Sequence, residues 1–451
     1  MGKITLKQAA AWCGGKIDPK YADVEFLGAN NDTRIIKEGQ LFIALKGARD
    51  GHDFVPMALQ KGAAAILCEH CDGDYPAIVV DDTRIALGKI ANGERHRIGM
   101  KVVGVTGSVG KSTTKEMIST VLESTYRTAK TPANHNNDIG MPMGILSMPE
   151  DTEVAVLEMG MNHFREMAYL SGIGQPDLAV IVNIGVMHIE HLGSQEGILK
   201  AKLEIMEGMA ADAPMLLNGD DNFLKTADCA AHPVTYFGVG ENCAVRAANV
   251  EITTGCVSFR VHANGMEFPL ELPVEGEHFV CDALAAVSVG MALGVEPAKI
   301  QESLANFQNM AGRQEIYEKE GFTIISDCYN ASPESMAAAL KVLGRQNGRK
   351  IAVLGDMLEL GVCTQAEHYK VGRMTAEQAD YLLAYGPNSG RMEKGALTGG
   401  MVGGKARSFT DRRELVLALK RLARPGDVIL FKGSRGMHME LALEQFFTDE
   451  K

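Results

Sequence analysis

Two hydrophobic spacings alternate along the chain. Short, mainly apolar runs at 102–105, 153–157, 178–184 and 215–217 read as strands covered on both faces, and the stretches between them, such as 112–123, read as helices. Strand following helix over about 120 residues predicts a parallel sheet. From 244 to 274 the spacing shortens to period two around Asn264-Gly265, which predicts an antiparallel hairpin region, and helices at 279–293 and 297–307 follow. Upstream, 5–12 and 53–61 read as helices and 40–45 as a strand, with an apolar run at 63–67. Downstream, strands at 322–326, 351–354, 381–384 and 428–431, with a helix at 333–343, repeat the doubly wound pattern. The predicted architecture is α/β in three domains: a small N-terminal α/β domain (1–98), a central domain with a mostly parallel sheet and an antiparallel extension (99–313), and a C-terminal doubly wound α/β domain (314–451), with Gly312-Arg313 at the last junction.

Length agrees with this division, since 451 residues exceed what one core holds and domains average about 150. Composition is globular, with 46% hydrophobic and 23% charged residues. A net charge of −12 argues against a nucleic-acid partner, so anionic ligands must meet local basic groups. The N-terminal stretch lacks an apolar segment of signal length and no run approaches a membrane span. The expectation is a cytoplasmic monomer with no membrane insertion. Nine scattered cysteines read as reduced thiols, and Cys68-x-x-Cys71 lacks the second close pair that a zinc site would need.

Chemistry concentrates first at 101–117, KVVGVTGSVGKSTTKEM. Between the strand and the helix, Gly107-Ser108-Val109-Gly110 leaves the backbone free to turn successive N–H groups toward a phosphate at the positive end of the helix. Lys111 adds a charge for the terminal phosphates and Ser112 a hydroxyl for Mg²⁺. The full phosphate-loop pattern wants glycine where this chain has Val105, so the motif is the shorter G-x-x-G-K-S. A structural turn with a solvated lysine is the alternative. Past other strand ends stand Glu158, His188 and His191, with Asn136 and Asn137 on an earlier loop. Ser112 and Glu158 are hard oxygen donors suited to Mg²⁺. His188 suits it less well and would serve a softer ion such as Mn²⁺ or act through water. In the first domain, Asn31-Asp32-Thr33-Arg34, and Lys46-Gly47 with Asp50-Gly51-His52, read equally as binding loops or ordinary turns.

Taken together, GVTGSVGKSTTKE, TPANHNNDIGMPMGIL, VLEMG, NIGVMHIEHLGS, AKLEI, SDCYNASPESM, VLGDMLELG and FKGSRGMHME, with DTR, LFIALKG and DGHDF near the start, resemble the Mur ligase family. The resemblance spans all three domains. It implies an ATP-dependent amide ligase working through an acyl phosphate, and the last-domain segments favour joining D-alanyl-D-alanine to UDP-N-acetylmuramoyl-tripeptide. The sister activity, adding a diamino acid to the dipeptide precursor, and a scaffold that has lost ligation are the rivals.

By the same resemblance, residues 107–113 hold the ATP phosphates, and Glu158 and His188 contact the metal. Lys202 matches a lysine that is carbamylated in the family; on its residues alone it reads as a solvated helix lysine like Lys200. Asn136 and Asn137 fall where the family meets phosphate or substrate, His278 and Asp282 at the adenine pocket, and Arg313 and Asp327 near ribose and phosphates. Asp282 stands where the family has an amide, losing a donor, and Ser332 where it commonly has asparagine. Thr33, Arg34, Lys46 and His52 are the candidates for the UDP-sugar end. Asn330, Lys432, Ser434 and Arg435 are those for the dipeptide end. Domain closure over ATP is expected to carry Arg313 and Asp327 toward the loop.

Overall fold

The computed structural model describes residues 2–310 and 312–448; the outermost residues of the first and last predicted domains lie outside them. Three α/β domains follow one another along the chain. In the first, the parallel strands Ala29–Asn30, Leu41–Ile43, Ala65–Cys68 and Ala77–Val79 lie side by side in that order. The central sheet has nine strands. From one edge they run Met266–Leu272, Cys256–Ala263, Val245–Thr253, Val234–Gly238, Met215–Asn218, Leu178–Ile181, Lys101–Thr106, Val154–Glu158 and Thr128–Lys130. The first three pair antiparallel and the rest parallel.

Burial explains the difference. Lys101–Thr106 and Val154–Glu158 are buried almost throughout because helices cover both faces, whereas the antiparallel strands alternate buried and exposed positions. Asn264 (φ 50°) and Gly265 (φ 76°) take the left-handed pair that a two-residue hairpin requires. Helix Lys111–Glu123 packs on His278–Ala292 across the sheet's core, joined by Met117, Val121, Leu284 and Val287.

The C-terminal sheet orders Glu315–Lys319, Phe322–Asp327, Val428–Lys432, Lys350–Gly355, Tyr381–Tyr385 and Ala406–Phe409, parallel except for the first pair. Val428–Lys432 returns between earlier strands, so the carboxyl ends of Val428–Lys432 and Lys350–Gly355 flank the crevice where an open α/β sheet takes ligands.

Several elements differ from the sequence reading. Helix Thr83–Ile98 was not anticipated; Asp82 caps it, and it packs against helices of the central domain. Strand Glu315–Lys319 was also missed, being only partly buried. The helix expected at 53–61 opens as a tight turn at Gly51–Phe54 before Val55–Gln60. The run 178–184 stops being strand at Ile181, because Asn183 turns its side chain onto the phosphate loop. No helix among the described residues is long and apolar enough to cross a membrane.

Candidate active site

The phosphate loop leaves the middle of the central sheet and enters helix Lys111–Glu123 through Gly110, whose φ of 86° is left-handed. A Cβ at Gly110 would come within 2.8 Å of Asp282 Oδ1, so glycine is required there for space as well as conformation. Asn183 Oδ1 accepts the N–H groups of Ser108 (3.1 Å) and Val109 (2.8 Å), and its Nδ2 donates to Val109 O (2.9 Å). Asn183 therefore shapes the loop. Sequence reasoning passed over it because it sat inside a run read as strand. Lys111 Nζ donates to Gly107 O (2.8 Å) and Ser108 O (3.1 Å), folded back over its own loop. Desolvation draws its pKa down to about 8, with Glu158 opposing the shift and Arg313 adding to it.

Around this loop lies a cleft of about 430 Å³ shared by the central and C-terminal domains. It brings together Ser108, Val109, Gly110, Lys111, Ser112, Thr113, Asn136, Asn137, Glu158, His188, His278, Asp282, Arg313, Asp327, Asn330 and Lys432. Glu158 is buried. Its Oε1 accepts Asn136 Nδ2 at 2.8 Å, while its Oε2 has no hydrogen-bond partner among the described residues and lies 3.8 Å from Lys115 Nζ. A buried carboxylate oxygen without a donor, in a cleft that Ser112 also lines, fits a hard cation. Among the described residues no three His, Cys, Asp or Glu side chains are arranged to hold a metal unaided, so further oxygens would have to come from Ser112, a modified lysine or the nucleotide.

Lys115 was also missed by sequence reasoning. Fully buried, it donates to Thr131 O (2.8 Å) and Ala133 O (3.1 Å), tying the phosphate-loop helix to the segment that carries Asn136. In the sequence nothing separates it from a solvated helix lysine.

Lys202 overturns the reading its neighbours suggest. Lys200 is exposed, but Lys202 is only 2% exposed on helix Gln195–Leu203. Burial, with repulsion from Lys111, lowers its pKa far below the usual lysine value. It does not line the cleft itself but stands behind it.

His188 Nδ1 lies 2.5 Å from Glu359 Oε2 of the C-terminal domain. Burial lowers the His188 pKa, and the imidazole holds the Glu359 carboxyl below its ordinary range. Burial pushes His278 down to about 4, leaving it neutral against Phe279 at a centroid distance of 4.2 Å. Asp282 is pushed up to about 7 by burial, although its Oδ1 accepts Thr114 Oγ1 at 2.7 Å. Arg313 stacks on Tyr329 at 3.9 Å and, with Asp327, already stands at the loop in this arrangement. Lys432 pairs with Asp327 and donates to Asn330 O (3.1 Å).

The remaining candidates lie elsewhere. Ser434 is buried, donating to Ala331 O (3.2 Å) and accepting Leu358 N–H (2.9 Å), so its hydroxyl ties two loops together. Arg435 is exposed and reaches Glu440 at 3.4 Å. His191 lies against His163, the rings tilted with centroids 4.5 Å apart, and does not line the cleft. In the first domain Thr33 is buried, Arg34 is exposed and paired with Asp32 (2.6 Å), and Lys46 pairs with Glu69. His52 spends both ring nitrogens internally, on Asp50 Oδ1 (2.6 Å) and Glu69 N–H (2.9 Å). None of these four lines the cleft. Ser332 caps helix Pro333–Arg345, accepting the Ser335 N–H at 3.3 Å, a position where serine serves as well as asparagine.

Known proteins carry the same plan. Residues 25–95, 105–290 and 312–435 match the profiles described as Mur ligase family, catalytic domain; Mur ligase middle domain; and Mur ligase, glutamate ligase domain. The UDP-N-acetylmuramoyl-tripeptide–D-alanyl-D-alanine ligase of Bacillus subtilis (strain 168) is 39% identical over 98% of this chain and 97% of its own length. The crystal structure of MurF from Acinetobacter baumannii is similar with a TM-score of 0.91 at 34% identity, covering 99% of both chains. MurF ligase from Thermotoga maritima in complex with ADP is similar with a TM-score of 0.81 at 30% identity, covering 93% of this chain and 96% of that one. With all three profiles matched in order and the likeness running end to end, the chain belongs to the Mur ligase family.

Proposed function

We propose that this protein is an ATP-dependent ligase joining D-alanyl-D-alanine to UDP-N-acetylmuramoyl-tripeptide in the synthesis of peptidoglycan precursors. The observation that carries the reading is the end-to-end identity of 39% with a relative of that activity. The phosphate-loop cleft shared by two domains supports it.

A carboxylate is a poor electrophile because its charge repels nucleophiles. In the first step a substrate carboxylate oxygen bonds to the γ-phosphorus of ATP, the bond to the bridging oxygen breaks, and ADP leaves. The dipeptide's amine nitrogen then adds to the acyl carbon and loses a proton, and inorganic phosphate departs from the tetrahedral intermediate. The protein's part is positioning and charge stabilisation. Residues 107–113 cradle the phosphates, and Lys111 exchanges the carbonyls of Gly107 and Ser108 for the β and γ oxygens. Ser112, Glu158 and His188 would hold Mg²⁺, or Mn²⁺ in its place, which when bound neutralises phosphate charge. Lys202 supports them as a carbamate. A buried, uncharged amine is the form that adds to carbon dioxide, and the neighbouring Lys111 cation disfavours an ammonium there while favouring the anionic product.

His278 and Asp282 serve the adenine, and Arg313 and Asp327 the ribose and phosphates. Residues 1–98 hold the UDP-sugar end through Thr33, Arg34 and Lys46, with His52 shaping the loop beside them, 99–313 bind ATP, and 314–451 supply Asn330, Lys432 and Arg435 for the dipeptide, with Ser434 holding their loops together and Asn137 beside the acceptor. The protein works as a cytoplasmic monomer. Phosphate release by purified protein tests the reading: it should require both UDP-N-acetylmuramoyl-tripeptide and D-alanyl-D-alanine. Release with the dipeptide precursor and a free diamino acid instead would move the protein to the sister activity.

A further inference from the structure

The strip at 185–190, which follows strand Leu178–Ile181, is one of the places where the C-terminal domain rests on the central one. Glu334 Oε1 accepts the Val186 N–H at 3.1 Å. Gly361 is seated so closely that a Cβ there would meet Glu190 Cα at 3.1 Å. Between these contacts His188 Nδ1 meets Glu359 Oε2, a partner 171 residues away in sequence. Both residues of this pair adopt left-handed backbone, His188 at φ 64° and Glu359 at φ 62°. Side-chain-bearing residues seldom adopt that conformation, and it persists where the surroundings over-determine it.

We infer that Glu359 is a positioning residue for His188, setting from the far side of the domain interface which ring nitrogen faces the cleft. An ionised carboxylate only accepts hydrogen bonds, so the proton of a neutral His188 must sit on Nδ1. That leaves Nε2 with its lone pair, and it has no hydrogen-bond partner among the described residues on a ring that lines the cleft. An imidazole of this tautomer and fixed orientation is the form that ligates a cation, and carboxylates behind such histidines strengthen ligation. The docked C-terminal domain thus completes the cation site with a residue that never enters it. This inference rests on the reading of His188 as a metal contact.

Two measurements separate the inference from that reading. Nitrogen NMR of metal-free protein labelled at histidine, with His188→Asn used for assignment, should show the Nδ1–H tautomer in the parent and in Glu359→Gln, whose amide oxygen still accepts. Glu359→Ala should show a tautomer mixture. Mn²⁺ affinity, measured by electron paramagnetic resonance with a non-hydrolysable ATP analogue, should fall roughly 10–100-fold in Glu359→Ala. It should be largely kept in Glu359→Gln, and Glu359→Ala should cost nothing further in a His188→Ala background. An unchanged tautomer in Glu359→Ala, or a loss that persists without His188, would overturn the inference. Unchanged Mn²⁺ affinity in His188→Ala would overturn the metal reading itself, an outcome the metal-free spectrum distinguishes from failure of the Glu359 contact.

Discussion

Arg313 Nη2 donates to Ser112 Oγ at 2.9 Å, joining the junction before the C-terminal domain to the phosphate loop across 201 residues of chain. The guanidinium also lies on the Tyr329 ring, and the next residue's N–H donates to Asp327 Oδ1 at 3.2 Å. One side chain therefore registers the docking of two domains at the phosphate loop. Its position suits a cation that offsets charge developing on the γ-phosphoryl group.

Arg313→Ala should lower kcat/KM for ATP on the order of 10²-fold in the phosphate-release assay. Arg313→Lys should recover little, because an ammonium neither stacks flat on Tyr329 nor presents a planar fork. Full recovery with lysine would show that charge alone is needed and that the stacking is incidental.

The phosphate loop and the three-domain α/β plan were legible because each rests on local pattern: apolar runs, glycines at a strand end, and a lysine opening a helix. The Asn-Gly hairpin was legible for the same reason. What stayed hidden depends on burial and on contacts across domains. Lys115 and Lys202 look like surface lysines in sequence, and only the packed fold removes them from water. Asn183 was hidden by the apolar residues around it, and Glu359 by its distance from His188. The first-domain candidates show the opposite case, since Asp32 holds its own turn and His52 spends its ring nitrogens on Asp50 and the Glu69 N–H.

Lys111, with its pKa near 8, should impose a pH limit on nucleotide capture. The cation is the useful form, so kcat/KM for ATP should fall as pH rises above about 8. In kcat the same limb should move to higher pH, because bound phosphates favour the charged lysine. Lys111→Arg, charged throughout this range, should lose the limb even if it turns over slowly, and Lys111→Ala should abolish turnover. A limb that survives in Lys111→Arg would assign it to another group.

Lys202 offers a test of the carbamate. Isotope-labelled bicarbonate should give a carbamate carbon signal in the protein that disappears in Lys202→Ala, and stripping carbon dioxide from the buffer should lower activity reversibly. Lys200→Ala should change neither, since Lys200 is exposed to solvent. A signal that survives in Lys202→Ala would place the modification elsewhere.

Asp282 links the cleft to stability. Its carboxyl titrates near 7 in the folded protein against an ordinary value of 3.8. Between those values the folded state holds a proton that the unfolded state has lost, so stability declines as pH rises from about 3.8 through 7 and levels off above. Asp282→Asn keeps an oxygen for Thr114 and has no proton to lose. The variant should match the parent near pH 4 and exceed it at pH 8 by on the order of 2–4 kcal/mol in the unfolding of the central domain. Function should follow the same titration. Below pH 7 the protonated carboxyl is a donor, and above it the donor is gone. KM for ATP in the parent should therefore rise above neutrality while that of Asp282→Asn stays flat. Stability curves that run parallel across this range would show that Asp282 is ionised throughout, and that the chain manages its adenine site without a donor at this position.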